Sequence, residues 1–139
     1  MIKNVSLGEE IIITTGNKVG LLADIATMLA NQGVNVEAAS GYEVGNTAIL
    51  RLVTNANLGI VAELRAKKYK SVKEAEVVVI ELSNKPGTLK VVTTELGKNK
   101  ININCLYVTS SPKGVESSRM VLSTSDNEKA MALLVNFIE

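Results

Sequence analysis

Two short stretches of this chain combine the residue types that bind small charged molecules. Asn17-Lys-Val-Gly-Leu-Leu22 and Asn84-Lys-Pro-Gly-Thr-Leu89 each place an asparagine and a lysine ahead of a glycine and an apolar run. A strand that enters a helix through such a turn leaves the first helical N–H groups without partners, and an anion binds readily there. Amides at the Gly20 and Gly87 turns can hold an anion through charge-assisted bonds worth roughly 1.5–3 kcal/mol each. Asn17 and Asn35, with Asn84 and Asn102 as counterparts, offer carboxamide oxygens to a cation and N–H donors to an anion. Two or three such contacts, less the ordering cost, imply roughly micromolar to millimolar affinity. Each residue also has a plain structural use. Asn17 and Asn84 can form Asx-turns, Asn35 and Asn102 can be solvent-facing strand positions, and a turn needs Gly20 and Gly87 in any case.

Other chemistries are narrowed by composition. The 139 residues contain no histidine, which removes the usual general base and the commonest nitrogen ligand for zinc or copper. The lone Cys105 has no partner for an internal disulfide and no base near it in sequence, so it reads as a small buried hydrophobe in a reducing cytosol. A net charge of +1 and 3% aromatic residues argue against nucleic acid. The absence of a long apolar run argues against a membrane span or a secretory leader. No catalytic residues, metal site or cofactor are expected, and the expected location is cytoplasmic.

The elements that must position these turns occur twice. A shift of 67 residues lays Asn84–Leu89 on Asn17–Leu22, Leu96 on Leu29, Ile101-Asn-Ile103 on Val34-Asn-Val36 and Glu76 on Glu9. After an insertion of about one residue, Arg119-Met-Val121 falls on Arg51-Leu-Val53. Two copies are too few for a solenoid and suggest two similar half-molecules. In the first copy, the pattern gives a short strand over 2–6 ended at Leu7-Gly8, then a strand over 10–15. A helix follows over 21–32, with Leu22, Ile25, Met28 and Leu29 inward and Gly33 closing it. A strand from Val34, a bend over 41–46, a strand over 47–54 and a helix over 58–68 complete the copy. Lys67, Lys68 and Lys70 near its end suit the helix dipole. The second copy gives strands at 70–74 and 76–82, a helix over 88–98 on Leu89, Val92 and Leu96, strands over 101–109 and 116–124, and a helix over 127–138. Ser125 and Glu128 read as a capping box for that last helix, and Ser110–Gly114 as a turn.

Set aside the leading strand, and each copy is β-α-β-β-α; a further strand would make the ferredoxin-like β-α-β-β-α-β unit. The expected fold is therefore α+β: two tandem ferredoxin-like modules with antiparallel sheets and helices on one face, over residues 8–74 and 75–139. The second copy ends after its helix, so residues 2–6 are expected to supply its last strand. The alternative is a local hairpin of 2–6 with 9–15.

A strand, Asn-x-Pro-Gly-x-Leu, a helix of about a dozen residues and then Val/Ile-Asn-Val/Ile resembles the ACT domain, here as two tandem copies. Asn84, Pro86, Gly87, Leu89, Ile101, Asn102 and Ile103 carry the pattern in full. The first copy keeps Asn17, Gly20, Leu22 and Asn35 but has Val19 in place of proline, so a less rigid loop and a weaker site are expected there. ACT domains commonly pair and bind an amino acid between them. The resemblance implies a non-catalytic regulatory module binding a free amino acid or similar zwitterion. Ligand-binding positions would be Asn17, Val19, Gly20, Leu21 and Asn35 in one copy and Asn84, Pro86, Gly87, Thr88 and Asn102 in the other. It also implies a homodimer and, since the chain carries no output domain, action on a separate metabolic enzyme. Two alternatives compete with amino-acid sensing. One is an assembly module with an empty site, which Val19, Thr15 and Leu82 favour. The other is a small enzyme on the same scaffold, which the lack of histidine and of a phosphate or dinucleotide loop disfavours.

Overall fold

The computed structural model describes residues 1–110 and 117–139. In chain order the elements are β1 (Ile2–Gly16), α1 (Leu21–Asn31), β2 (Val36–Val44), β3 (Thr47–Thr54), α2 (Asn57–Ala66), β4 (Ser71–Ser83), α3 (Thr88–Lys98), β5 (Ile103–Ser110), β6 (Ser117–Thr124) and α4 (Asn127–Leu134), with a 3-10 turn over Val135–Phe137. The fold is α+β with antiparallel strand pairs. No helix among the described residues is long and apolar enough to cross a membrane. The expected turn over Ser110–Gly114 lies, beyond Ser110, outside the described residues.

The chain divides into two compact units. The first is Glu9–Ala75; the second joins Met1–Gly8 to Glu76–Glu139. Within the first, the strands lie in the order β2-β3-β1-β4, and within the second, β5-β6-β4-β1, because β1 and β4 each contribute one half to each unit. Both strands run unbroken where the sequence suggests ends, at Leu7-Gly8 and at Ala75. Gly8 serves close approach rather than a turn: a Cβ there would stand 3.1 Å from Val79 Cγ2.

Each unit buries one face of its sheet under its helices. Ile11, Ile13, Leu50 and Leu52 meet Ile25, Leu29, Ile60 and Leu64 in the first. In the second, Ile2, Val5, Val78, Ile80 and Leu122 meet Val92, Leu96, Ala130 and Leu134. The buried stripe starts one residue earlier than the periodicity implies. Leu21 and Thr88 point inward, while Leu22 and Leu89 are 55% and 49% exposed. The reason lies in Gly20 and Gly87, whose φ of 88° and 92° make them the residue before the helix and turn its first residue into the core.

A second repeated device is not legible in the apolar pattern. Thr54 donates its N–H and hydroxyl to Asn57 Oδ1, and Asn57 Nδ2 donates to the Glu9 carbonyl. Thr124, Asn127 and the Glu76 carbonyl repeat this bond for bond. These clamps fix the start of α2 and α4 against the first strand of their own unit. They also correct the alignment of the copies. Arg51 stands opposite Ser40, whereas Val121 stands opposite Tyr107, the match of Ser40, so the partner of Arg51 is Val121 and not Arg119. Asp126, rather than Ser125, caps α4, its carboxylate accepting from Lys129 N–H at 3.1 Å. Ser125 Oγ accepts instead from Asn102 N–H.

Candidate functional site

In the first unit the turn Asn17–Gly20 leads into α1 with no side chain capping the helix start. The first regular helical bond runs from Asp24 N–H to the Gly20 carbonyl at 3.0 Å, so the amides of Leu22 and Ala23 precede it. Beside them lies a groove of about 360 Å³, lined by Asn17, Lys18, Gly20–Ala23 and, across from them, Gly41–Glu43, Ala48 and Leu50. Asn17 is held from both ends. Its N–H donates to the Asn46 carbonyl at 2.7 Å, and its carboxamide donates to the Glu43 carboxylate. Lys18 Nζ lies 3.9 Å from Asp24 Oδ2 with both side chains about two-thirds exposed, a pair too solvated to hold the lysine in place. The groove thus brings together an uncapped helix start, a lysine and a carboxylate, over a floor of hydrocarbon.

Of the residues singled out in the sequence, Asn17, Gly20 and Leu21 line this groove. Val19 does not; its side chain stands fully in solvent. Asn35 lies just before the opposite end of β2, about 20 Å of strand from Gly41. There its N–H donates to Asn55 Oδ1 and its carbonyl accepts from Asn55 N–H. Asn102 is placed the same way at the far end of β5, its backbone tied to Ser125 and its carboxamide to Asn104 Oδ1. Asn35 and Asn102 bond beside the starts of α2 and α4, to Asn55 and Ser125, at the end of the strand away from their turns. Linear order hides this, because one strand carries the chain from one end of the sheet to the other.

At the second turn, Asn84, Pro86 and Gly87 are exposed and Thr88 is buried. The Thr88 hydroxyl donates to the carbonyls of Ser83 and Lys85, so it serves the turn itself. Met1 covers part of this turn: its carbonyl accepts from Ser83 N–H and Oγ, and its Cε lies 3.7 Å from where a Cβ on Gly87 would stand. The groove described above adjoins the first turn, the copy whose loop has Val19 in place of proline. Sequence reasoning misses Gly41 and Glu43, and it turns Leu22 inward rather than toward the groove. A signal exists for Gly41, whose match in the second copy is Val108. Cys105 is half-buried on β5 rather than buried.

Residues 10–66 match the sequence model of the ACT domain family. The match falls on the copy that holds the groove. Among solved structures, a protein from Bacteroides thetaiotaomicron superimposes with a TM-score of 0.85 at 23% identity, over 97% of this chain and 91% of that one. The ligand-free regulatory subunit of aspartate kinase from Thermus thermophilus gives a TM-score of 0.65 at 12% identity, over 99% of both chains. A structure of aspartokinase alpha and beta subunits gives 0.63 at 16%, over 98% and 97%. At these identities the likeness is one of fold. No curated protein matches the sequence.

Proposed function

We propose that this chain is a non-catalytic regulatory protein that binds a free amino acid in the groove of its ACT domain. The observation that carries this is the meeting of opposite charge preferences in one 360 Å³ groove. The amides of Leu22 and Ala23, with Lys18 beside them, suit an α-carboxylate; the Glu43 carboxylate across the groove suits an α-ammonium. The ammonium partner is thus an acid held by Asn17 rather than the asparagines themselves.

The second unit reads as another ferredoxin-like module of ACT type, completed by residues 2–8, with Asn84, Pro86 and Gly87 in a structural role. The shared strand order and the repeated clamps support this. Homodimerisation would use β2, the edge strand of the first unit, whose Tyr42 and Val44 are exposed; a ligand would then sit where two modules pair. Output would pass to a separate enzyme. The fold likeness over nearly full length to a regulatory subunit of aspartate kinase supports that form of action.

Thermal unfolding of the full chain against each of the twenty amino acids tests the proposal. A ligand at 100 times its Kd stabilises by about 2.7 kcal/mol, a shift of several degrees for one amino acid. Glu43→Gln should abolish the shift while leaving the unliganded midpoint unchanged. A flat response to all twenty would leave only an assembly role.

A further inference from the structure

The groove is polar at one rim and apolar below it. Asn17, Lys18 and Glu43 are its charged or amide side chains, and Leu21, Ala48 and Leu50 are buried residues of the core cluster. Gly41 completes the wall. It sits in extended β2 without a positive φ, so no turn demands glycine there. What glycine provides is room: a Cβ would stand 2.9 Å from Leu50 Cδ2, closer than real contacts allow. A side chain at Gly41 must push the Leu50 methyl, and Leu50 lines the groove. In the second unit the matched position is Val108, opposite Met120, and Met1 lies against the matching turn.

We propose that the groove selects amino acids with an uncharged aliphatic side chain, that Gly41 sets its depth, and that each chain holds one such site. This rests on the amino-acid binding proposed above and adds the ligand class, the specificity residue and the stoichiometry. With ammonium and carboxylate held at the rim, a ligand's side chain enters a space walled by Leu21, Ala48, Leu50 and the bare backbone of Gly41. A charged or amide side chain would lose its water there and find no partner. Each additional methylene that fits should tighten binding about tenfold or more.

Calorimetric titration of the full chain with leucine, valine, alanine, asparagine, lysine and aspartate tests this. Leucine or valine should bind at least about tenfold tighter than asparagine, lysine or aspartate, with one site per chain. Gly41→Ala should weaken leucine about tenfold yet change alanine by no more than about twofold, because only the longer side chain reaches the displaced Leu50 methyl. A merely structural effect would weaken both alike. Gly41→Val, which copies Val108, should abolish leucine binding; if it does not fold, the Gly41→Ala split decides. Tighter binding of a charged or amide ligand, two sites per chain, or equal loss for leucine and alanine would overturn this inference while amino-acid binding stands. Failure of all six probes, with no thermal response to any of the twenty amino acids, would overturn both.

Discussion

At matched positions the two units make opposite choices inside the same strand order. In the first, Glu10 is 1% exposed and its Oε1 accepts from Arg51 Nη1 at 2.6 Å. In the second, the same positions are Val77 and Val121, both buried. Glu10 alternates with Ile11 and so lies on the face of the sheet away from its helices. A hydrocarbon pair satisfies that face as well as an ion pair does, since the Coulombic gain of buried charges is largely offset by their desolvation. The difference teaches that the fold tolerates either chemistry, provided the pair is complete. Where the units agree, in the Thr-x-x-Asn clamps, the bonds close backbone groups that hydrocarbon could not satisfy.

Breaking the ion pair on one side should give the largest effect. Arg51→Val alone leaves Glu10 buried without its guanidinium and should cost about 3–5 kcal/mol in urea unfolding. The double change Glu10→Val with Arg51→Val, which copies Val77 and Val121, should be neutral or stabilise by about 1–4 kcal/mol. A double variant as unstable as the single one would show that the pair does more than complete itself.

The clamps should respond alike in both units. Asn57→Ala and Asn127→Ala each remove three hydrogen bonds around a buried threonine. Each should cost about 2–3 kcal/mol by denaturant titration. A twofold difference between them would show that the matched bonds are not matched in energy.

The helix caps give a smaller contrast. Asp126 caps α4, while α2 has Ala56 at the matched place, with φ of −156° and −153°. Asp126→Ala should lower stability by about 1 kcal/mol and Ala56→Asp should raise it by about 0.5–1 kcal/mol.

The smallest effect concerns Tyr69, whose match in the second unit is the fully buried Ile2. Burial, and then the Asp24 charge, raise its phenol above the ordinary value of 10.0. Folding favours the neutral form, so the contribution is complete below the ordinary value and disappears as pH rises through the raised one. Ultraviolet titration of wild type against Tyr69→Phe should show a midpoint above that of a free tyrosine. Asp24→Asn should bring it part of the way back, because burial is the larger cause.

Much of this is written locally. The helix expected over 21–32 forms as Leu21–Asn31, Ile60, Val61 and Leu64 are buried at helical spacing, and Gly33 follows α1 with positive φ. Sequence and structure part where one residue or one strand length matters. Periodicity draws Leu22 and Leu89 into the core because it does not say on which residue a helix begins. Identity of type aligns Arg119 with Arg51, against a register that only strand pairing sets. For the groove, Asn17, Gly20 and Leu21 are legible, since a turn draws its own neighbours together. Gly41 and Glu43 are not, because they reach the groove across the sheet.

By itself the sequence determined what short-range physics controls: the two glycine turns, the helices that follow them, the repeat, and the absence of histidine chemistry. Tertiary structure decided what depends on distant partners. It set Ile2 and Val5 in the core of Glu76–Glu139, hid Glu10 with Arg51, and opened a groove at one turn while Met1 lay against the other. The physical reason is that a strand's pairing and the space beside it are properties of its neighbours, and those neighbours lie tens of residues away along the chain.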